Sequence, residues 1–414
     1  MAEHNLMTDD LLRQIISVGR VDLLVGAPRI ESAEEAIELV RAVRGCLRTH
    51  FPRVRAALLH ADQPGPSNVP LQHCWAEEQA PGGLRTTHLM TTTVPPHDAG
   101  GAAVRLILAT ADLLQANAVV VLDPEAGDLT PDRVASFAAP LQDAGVDLLT
   151  PTHPRAADAG LLVTQLARPL TGAIYGRDLR EPLLPEFGAS ARFARHCAQR
   201  DFDIDRARWS THYWVGAEAL SGGFTIRQVP LGPRRTPVAR ARPGLPALFQ
   251  NVITSIFTSI EATSGAWRAQ PPIGEDAPTL ISDDAASAGV ADAARLLDTF
   301  ASDVQNLDEI LRRILPGDIH HALELAASHH GGGRLPGLLW AELVAEFLIA
   351  YHHRVMLPEH VVQALLPLYI ARTGTFLLEH ANSSPAATEA AIQELCESFQ
   401  QVRPRVIERW ADQR

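Results

Sequence analysis

The sequence has no lysine: all 36 basic residues are arginine, set against 48 acidic residues, for a net charge of −12. An acidic chain without a basic run interleaved with aromatics is a poor partner for the phosphates of nucleic acid. The cysteines, Cys46, Cys74, Cys197 and Cys396, are scattered. None forms C-x-x-C or a Cys/His pair at metal spacing, so neither a zinc site nor a disulfide framework is indicated. No run of about 18 apolar residues occurs, so no membrane span is expected. Residues Met1 to Asp10 are polar and acidic and lack the apolar core of a signal peptide, which makes the cytoplasm the expected compartment. G-x-G-x-x-G does not follow the first expected strand, and G-x-x-x-x-G-K-[ST] occurs nowhere, so dinucleotide and P-loop readings are weak.

What is present is a globular composition, 46% hydrophobic and 20% charged over 414 residues. That length suits one large domain plus an appendage. The most informative stretch is Ala118-Val119-Val120-Val121-Leu122-Asp123-Pro124-Glu125. Five unbroken apolar residues rich in valine read as a strand buried on both faces. Asp123 then falls where the strand ends, the edge at which open α/β sheets bind ligands. Pro124 bends the chain, so Asp123 and Glu125 can turn to one side and hold a divalent cation. The competing reading is an acidic turn that caps the next helix.

Around this stretch, strands and helices alternate. Val21 to Pro28, Arg55 to Ala61, Leu84 to Val94, Val146 to Pro151 and Phe224 to Leu231 read as further strands. Helices are expected after Thr8, after Ser32, over Ala102 to Gln115, and from Thr130-Pro131-Asp132, where Pro occupies N1. Gly160 to Gly176, Ala189 to Gln199, Trp209 to Gly223 and Leu248 to Ile260 read as helical, with Arg177 to Gly188 an irregular charged segment between them. Residues Gln270 to Asp284 read as a linker. Beyond it the pattern is helical throughout: Ala288 to Ile314, Ile319 to Ser328, Leu338 to Tyr351, Val361 to Leu378 and Ala387 to Gln413. The expectation is therefore an α/β fold, a Rossmann-type mostly parallel sheet with helices on both faces, plus an all-helical carboxyl-terminal region. Domains are expected at 1–265 and 285–414. The apolar helices from Leu338 to Leu378 either pack inside the molecule or form the face of a homodimer.

The order of these elements resembles the GT-A glycosyltransferases, and among them the glucosylglycerate and mannosylglycerate synthase-like group. The resemblance rests on Val25-Gly26-Ala27-Pro28, Val121-Leu122-Asp123-Pro124-Glu125 with Leu129-Thr130-Pro131, Arg168-Pro169-Leu170-Thr171 through Arg180-Glu181-Pro182, Glu186-Phe187-Gly188, and the closing Arg403-Pro404 to Trp410. It implies transfer of a hexose from a nucleotide diphosphate sugar, UDP- or GDP-linked, to a small glycerate-like hydroxy acid. It places the donor at Pro28, Glu31, Asp62, Gly100, Gly101 and Asp123, and the acceptor at Arg180, Glu186 and Gly188. It implies Mg²⁺ or Mn²⁺ held by Asp123 and Glu125, the latter in place of a second Asp. Asp62 equally suits a turn before Pro64-Gly65.

Several polar positions of that group are changed. Its glycine-lysine-glycine loop corresponds to Ala99-Gly100-Gly101, and its later metal-binding histidine to Thr236, which follows Arg234-Arg235. An expected Asp is His212, which is also readable as a histidine satisfied within the core. These losses support an alternative, a catalytically degenerate relative that binds sugar nucleotide weakly or serves as an oligomer partner.

Overall fold

A computed structural model of the chain describes residues 7–28, 30, 32–62, 87–93, 101–124, 128–143, 145–154, 157–200, 210–232, 244–269, 290–328, 333–380 and 382–411. The chain divides into two compact units, one made of Met1–His153 with Leu184–Arg240, the other of Pro154–Leu183 with Ala241–Arg414. Segments 154–183 and 241–265, expected on the sheet side of the division, thus group with the helices.

The first unit is built on seven strands: β1 Leu23–Ala27, β2 Ala56–Asp62, β3 Thr87–Thr93, β4 Ala118–Val121, β5 Leu148–Thr152, β6 Phe187–Ser190 and β7 Ile226–Pro230. Their order is β3-β2-β1-β4-β6-β5-β7. All pairings are parallel except those that β6 makes with β4 and β5. The expected α/β class and mostly parallel sheet are therefore observed.

The continuous apolar runs follow from burial on both faces. Leu24, Leu59, Val119 and Val121 pack with Ile107 and Leu108 of the helix Gly101–Leu113. Their neighbours Leu23, Val25, Leu58 and Val120 point the other way. They pack with Val40 and Val43 of the helix Ala33–Thr49 and with Val134 and Phe137 of the helix Pro131–Ala138. A Cβ on Gly26 would lie 2.4 Å from the Ile107 side chain, so glycine permits this close helix–strand approach. Thr8, Ser32 and Thr130 each accept a backbone N–H three residues on, and Pro131 follows its cap at the helix start.

The structure corrects two readings. The segment from Arg177 to Gly188 ends in a strand, β6, which runs antiparallel between β4 and β5. Four residues with a central glycine are too short to show a period. The single helix expected over 288–314 is three short ones, Val290–Arg295, Phe300–Asn306 and Asp308–Ile314.

The second unit is helical around Trp267, Trp340, Phe257, Phe347 and Phe376, all fully buried. Its long helices are Leu245–Ala262, Gly337–His352, Pro358–His380 and Pro385–Trp410. A π-helical turn, Val163–Ala167, leads into the helix Arg168–Tyr175. The Gln165 carbonyl accepts the Trp340 indole N–H at 2.7 Å, and its side-chain oxygen accepts Arg372 Nε at 3.1 Å. The helix Pro358–His380 is long and apolar enough to cross a membrane, but 72% of its apolar window is buried inside the protein. That burial is what a core helix shows. Leu339, Trp340, Leu343, Val344, Leu365 and Leu368 are likewise buried in the chain, which accounts for these apolar helices without a second copy.

Candidate active site at the carboxyl edge of the sheet

From β1 the chain moves to β2 and β3 on one side, then returns to place β4 on the other. Connections that diverge in this way leave a crevice at the carboxyl ends of the two strands, where open α/β sheets take ligands. The Leu122 N–H donates to Gly26 O at 2.9 Å, so the ladder holds the chain up to the residue before Asp123. Asp123 is half-buried, between buried Leu122 and buried Pro124. Pro28, also buried, ends β1 at the same edge. Asp62 ends β2 opposite Thr93 of β3. Gly101 opens the helix Gly101–Leu113, which joins the end of β3 to the start of β4. That helix runs against the strands, so its N-terminus stands at this edge too. Of the other expected donor and metal residues, Glu31, Gly100 and Glu125 lie outside the described residues.

Because β6 is antiparallel, its first residue pairs with the last of β4, Phe187 with Val121. Glu186, one residue earlier, is thereby carried to the same edge. Its carboxylate is fully buried rather than offered to solvent, and Oε1 accepts Arg133 Nη2 at 2.5 Å. Arg133 sits in the first turn of the helix Pro131–Ala138. His153, just past β5, has its side chain fully buried with Nε2 3.7 Å from the same Glu186 oxygen. Its Nδ1 is 2.8 Å from Gly232 O; a carbonyl cannot donate, so Nδ1 carries the hydrogen. Nε2 of His153, Nε of Arg133 and Oε2 of Glu186 are buried without a hydrogen-bond partner among the described residues. They are three of fifteen such side-chain atoms among the described residues, and these three belong to one cluster.

The remaining expected residues fall elsewhere. Gly188 lies within β6, where a Cβ would come 2.9 Å from Phe137 O; its role there is close packing. Arg180 belongs to the helical unit, with Nη2 2.7 Å from Glu389. Burial, then the neighbouring Arg168, pull its guanidinium below the ordinary arginine range. Arg168 itself holds Asp178 through two bonds of 2.8 Å and Glu389 through one of 2.9 Å. His212 Nδ1 donates to Leu184 O at 2.8 Å, as a satisfied core histidine does. Arg234, Arg235 and Thr236 lie outside the described residues.

Asp123 places a carboxylate at this edge, where Glu186 Oε2 and His153 Nε2 are buried with no hydrogen-bond partner among the described residues. Oxygen and imidazole donors fit a divalent cation.

The chain is similar in structure to glycosyltransferases. Glucosyl-3-phosphoglycerate synthase from Mycobacterium tuberculosis, solved with Mg²⁺ and UDP, matches with 19% identity and a TM-score of 0.44 over 61% of this chain and 83% of that one. Mannosyl-3-phosphoglycerate synthase from Rubrobacter xylanophilus matches with 18% identity and a TM-score of 0.42, over 62% and 80%. A mannosyltransferase from Pyrobaculum calidifontis, solved with GDP-mannose and Mn²⁺, matches with 15% identity and a TM-score of 0.34, over 95% and 86%. No protein-family model matches the sequence, and no curated protein matches it.

Sequence reading missed His153 and Arg133. For His153 a signal existed: it follows a buried apolar strand, as Asp123 follows Leu122. For Arg133 none did, since an arginine in a first helical turn is expected to face solvent.

Proposed function

We propose that the protein is a metal-assisted hexosyltransferase that takes a nucleotide diphosphate sugar as donor and a small hydroxy acid as acceptor. The observation that carries this reading is the place of Asp123, a carboxylate at the end of a fully buried central strand, beside the point where strand connections diverge. Asp123 and Glu125 hold Mg²⁺ or Mn²⁺. The metal, when bound, supplies positive charge against the diphosphate leaving group. With no lysine in the chain, the donor phosphates draw on backbone N–H groups at Gly101, where a helix N-terminus concentrates partial positive charge. Pro28 and Asp62 border the base. Glu186, neutralised by Arg133 and flanked by His153, is a positioning residue that ties the start of β6 to the helix Pro131–Ala138 and to the end of β5. The acceptor class follows from the sequence resemblance.

The missing lysine and the threonine at position 236 favour a second reading, a degenerate transferase that retains only binding. An assay separates the two. Radiolabelled UDP-glucose and GDP-mannose are incubated with glycerate or 3-phosphoglycerate, with and without Mn²⁺. Metal-dependent labelling of an acceptor that disappears in Asp123→Ala is expected. No labelling, from protein that binds a donor, supports the degenerate reading. Labelling that persists in Asp123→Ala contradicts the metal role.

A further inference from the structure

The helical unit holds a cavity of about 380 Å³ that the proposed transfer does not use. Its polar lining is cationic or neutral: Arg312, Arg313, His353 and Arg409, with no carboxylate among the lining residues. Its apolar lining comes from Ile314, Leu315 and Ile349. In a chain of net charge −12, three arginines lining one cavity need a reason.

Two of the arginines are partly compensated from outside the lining. Arg312 Nε is 2.9 Å from Asp308, and Arg409 Nη1 is paired with the buried Glu346. A guanidinium carries five N–H donors, so each pair uses a fraction of them. Arg313 is exposed and has no ion pair among the described residues. His353 is tied in place by Nε2, which donates to Arg409 O at 2.8 Å. Pro316, at the cavity wall, precedes the eleven-residue helix Gly317–Ala327, which has no side-chain cap. Its uncapped amides add partial positive charge beside the arginines.

We propose that this cavity binds a small phosphate monoester. Arginine forks match phosphate oxygens two at a time, which favours phosphate over a halide. The volume exceeds that of bare phosphate and lies in the range of small-molecule pockets, roughly 300–1,000 Å³. The three aliphatic side chains give a short carbon skeleton an apolar wall. The site belongs to the helical unit alone and is distinct from the edge at Asp123.

The test is calorimetric titration of the full chain with glycerol 3-phosphate, inorganic phosphate and glycerol. Glycerol 3-phosphate is expected to bind, inorganic phosphate more weakly, and glycerol not at all. Arg313→Ala is expected to weaken glycerol 3-phosphate about tenfold, the loss of one charge-assisted bond, and Arg313→Glu to abolish binding. Since Arg313 is exposed, both variants should melt as the wild type does. Asp123→Ala should bind glycerol 3-phosphate unchanged, which separates this site from the donor site. Equal binding of phosphate and glycerol 3-phosphate would overturn the apolar wall's part. No binding of glycerol 3-phosphate, or binding that Arg313→Glu leaves intact, would overturn the proposal.

Discussion

In the sheet unit, Glu186, Arg133 and His153 are gathered at one edge, beyond the ends of β4, β5 and β6. In the helical unit buried charge is spread along helix seams. Arg168 and Arg180 share Glu389, Arg409 meets Glu346, and Arg403 donates to Trp267 O at 3.0 Å. Arg372 binds Gln165 and Leu335 O, each at 3.1 Å. The difference follows from how the two architectures satisfy their backbones. A sheet joins its strands through the ladder itself, so charge is not needed to align β1 with β4. Helices satisfy their backbones internally, and side chains must set their register. Buried charge in the helical unit thus reads as assembly, and at the sheet edge it gathers beside Asp123, where we propose that the site lies.

The largest expected effect tests the chemical half of that contrast. Asp123→Ala should lower transfer by about 10²–10³-fold, the range for losing one stabiliser of developing charge. The variant should still fold, because the β1–β4 ladder reaches Leu122 without Asp123. A variant that loses stability instead would make this edge structural.

Next in size is the buried pair. Glu186→Gln leaves Arg133 buried without its counter-charge and should cost about 3–5 kcal/mol in urea unfolding. The double change Arg133→Met with Glu186→Leu should recover much of that. If the double variant folds well yet transfers poorly, the pair positions the site rather than holds the fold.

A smaller loss is expected in the helical unit. Burial pushes the Arg372 guanidinium down to about 10, and among the described residues no carboxylate is hydrogen-bonded to it. Arg372→Ala removes two charge-assisted bonds and should cost about 2–3 kcal/mol. Donor binding should be unaffected, since the seam is one of assembly.

The smallest effect is pH-dependent. Burial raises the Asp147 carboxyl, but bonds from Arg192, the Thr225 N–H and Ser190 outweigh it and leave it below the ordinary carboxylate value. A depressed carboxyl stabilises above its unfolded value and loses that contribution as pH falls through its folded value. Asp147→Asn should therefore be less stable by about 1–2 kcal/mol near neutral pH. Its urea midpoint should converge with that of wild type on acidification.

Parts of this contrast were legible in the sequence. β1 and β4 announced themselves as continuous apolar runs, and Thr8, Ser32 and Thr130 as caps, because those signals are local. β6 was not legible, since four residues around Gly188 carry no period and its pairing is set by β4 and β5. Nor was the grouping of 154–183 with the helices, which depends on contacts such as that of Trp340 with Gln165, 175 residues apart. Asp123 could be picked out because a carboxylate ends an apolar strand. His153 ends one too, but its meaning comes from Glu186 and Gly232, which only the folded chain brings to it.

The central claim is that Asp123 makes the sheet edge a metal-dependent nucleotide-sugar site. Its most direct test is calorimetric titration of UDP-glucose and GDP-mannose into wild type and Asp123→Ala, each with and without Mn²⁺. The account predicts binding of one donor that requires Mn²⁺ in the wild type and is lost in the variant. Donor binding that is indifferent to both Mn²⁺ and the substitution would contradict it.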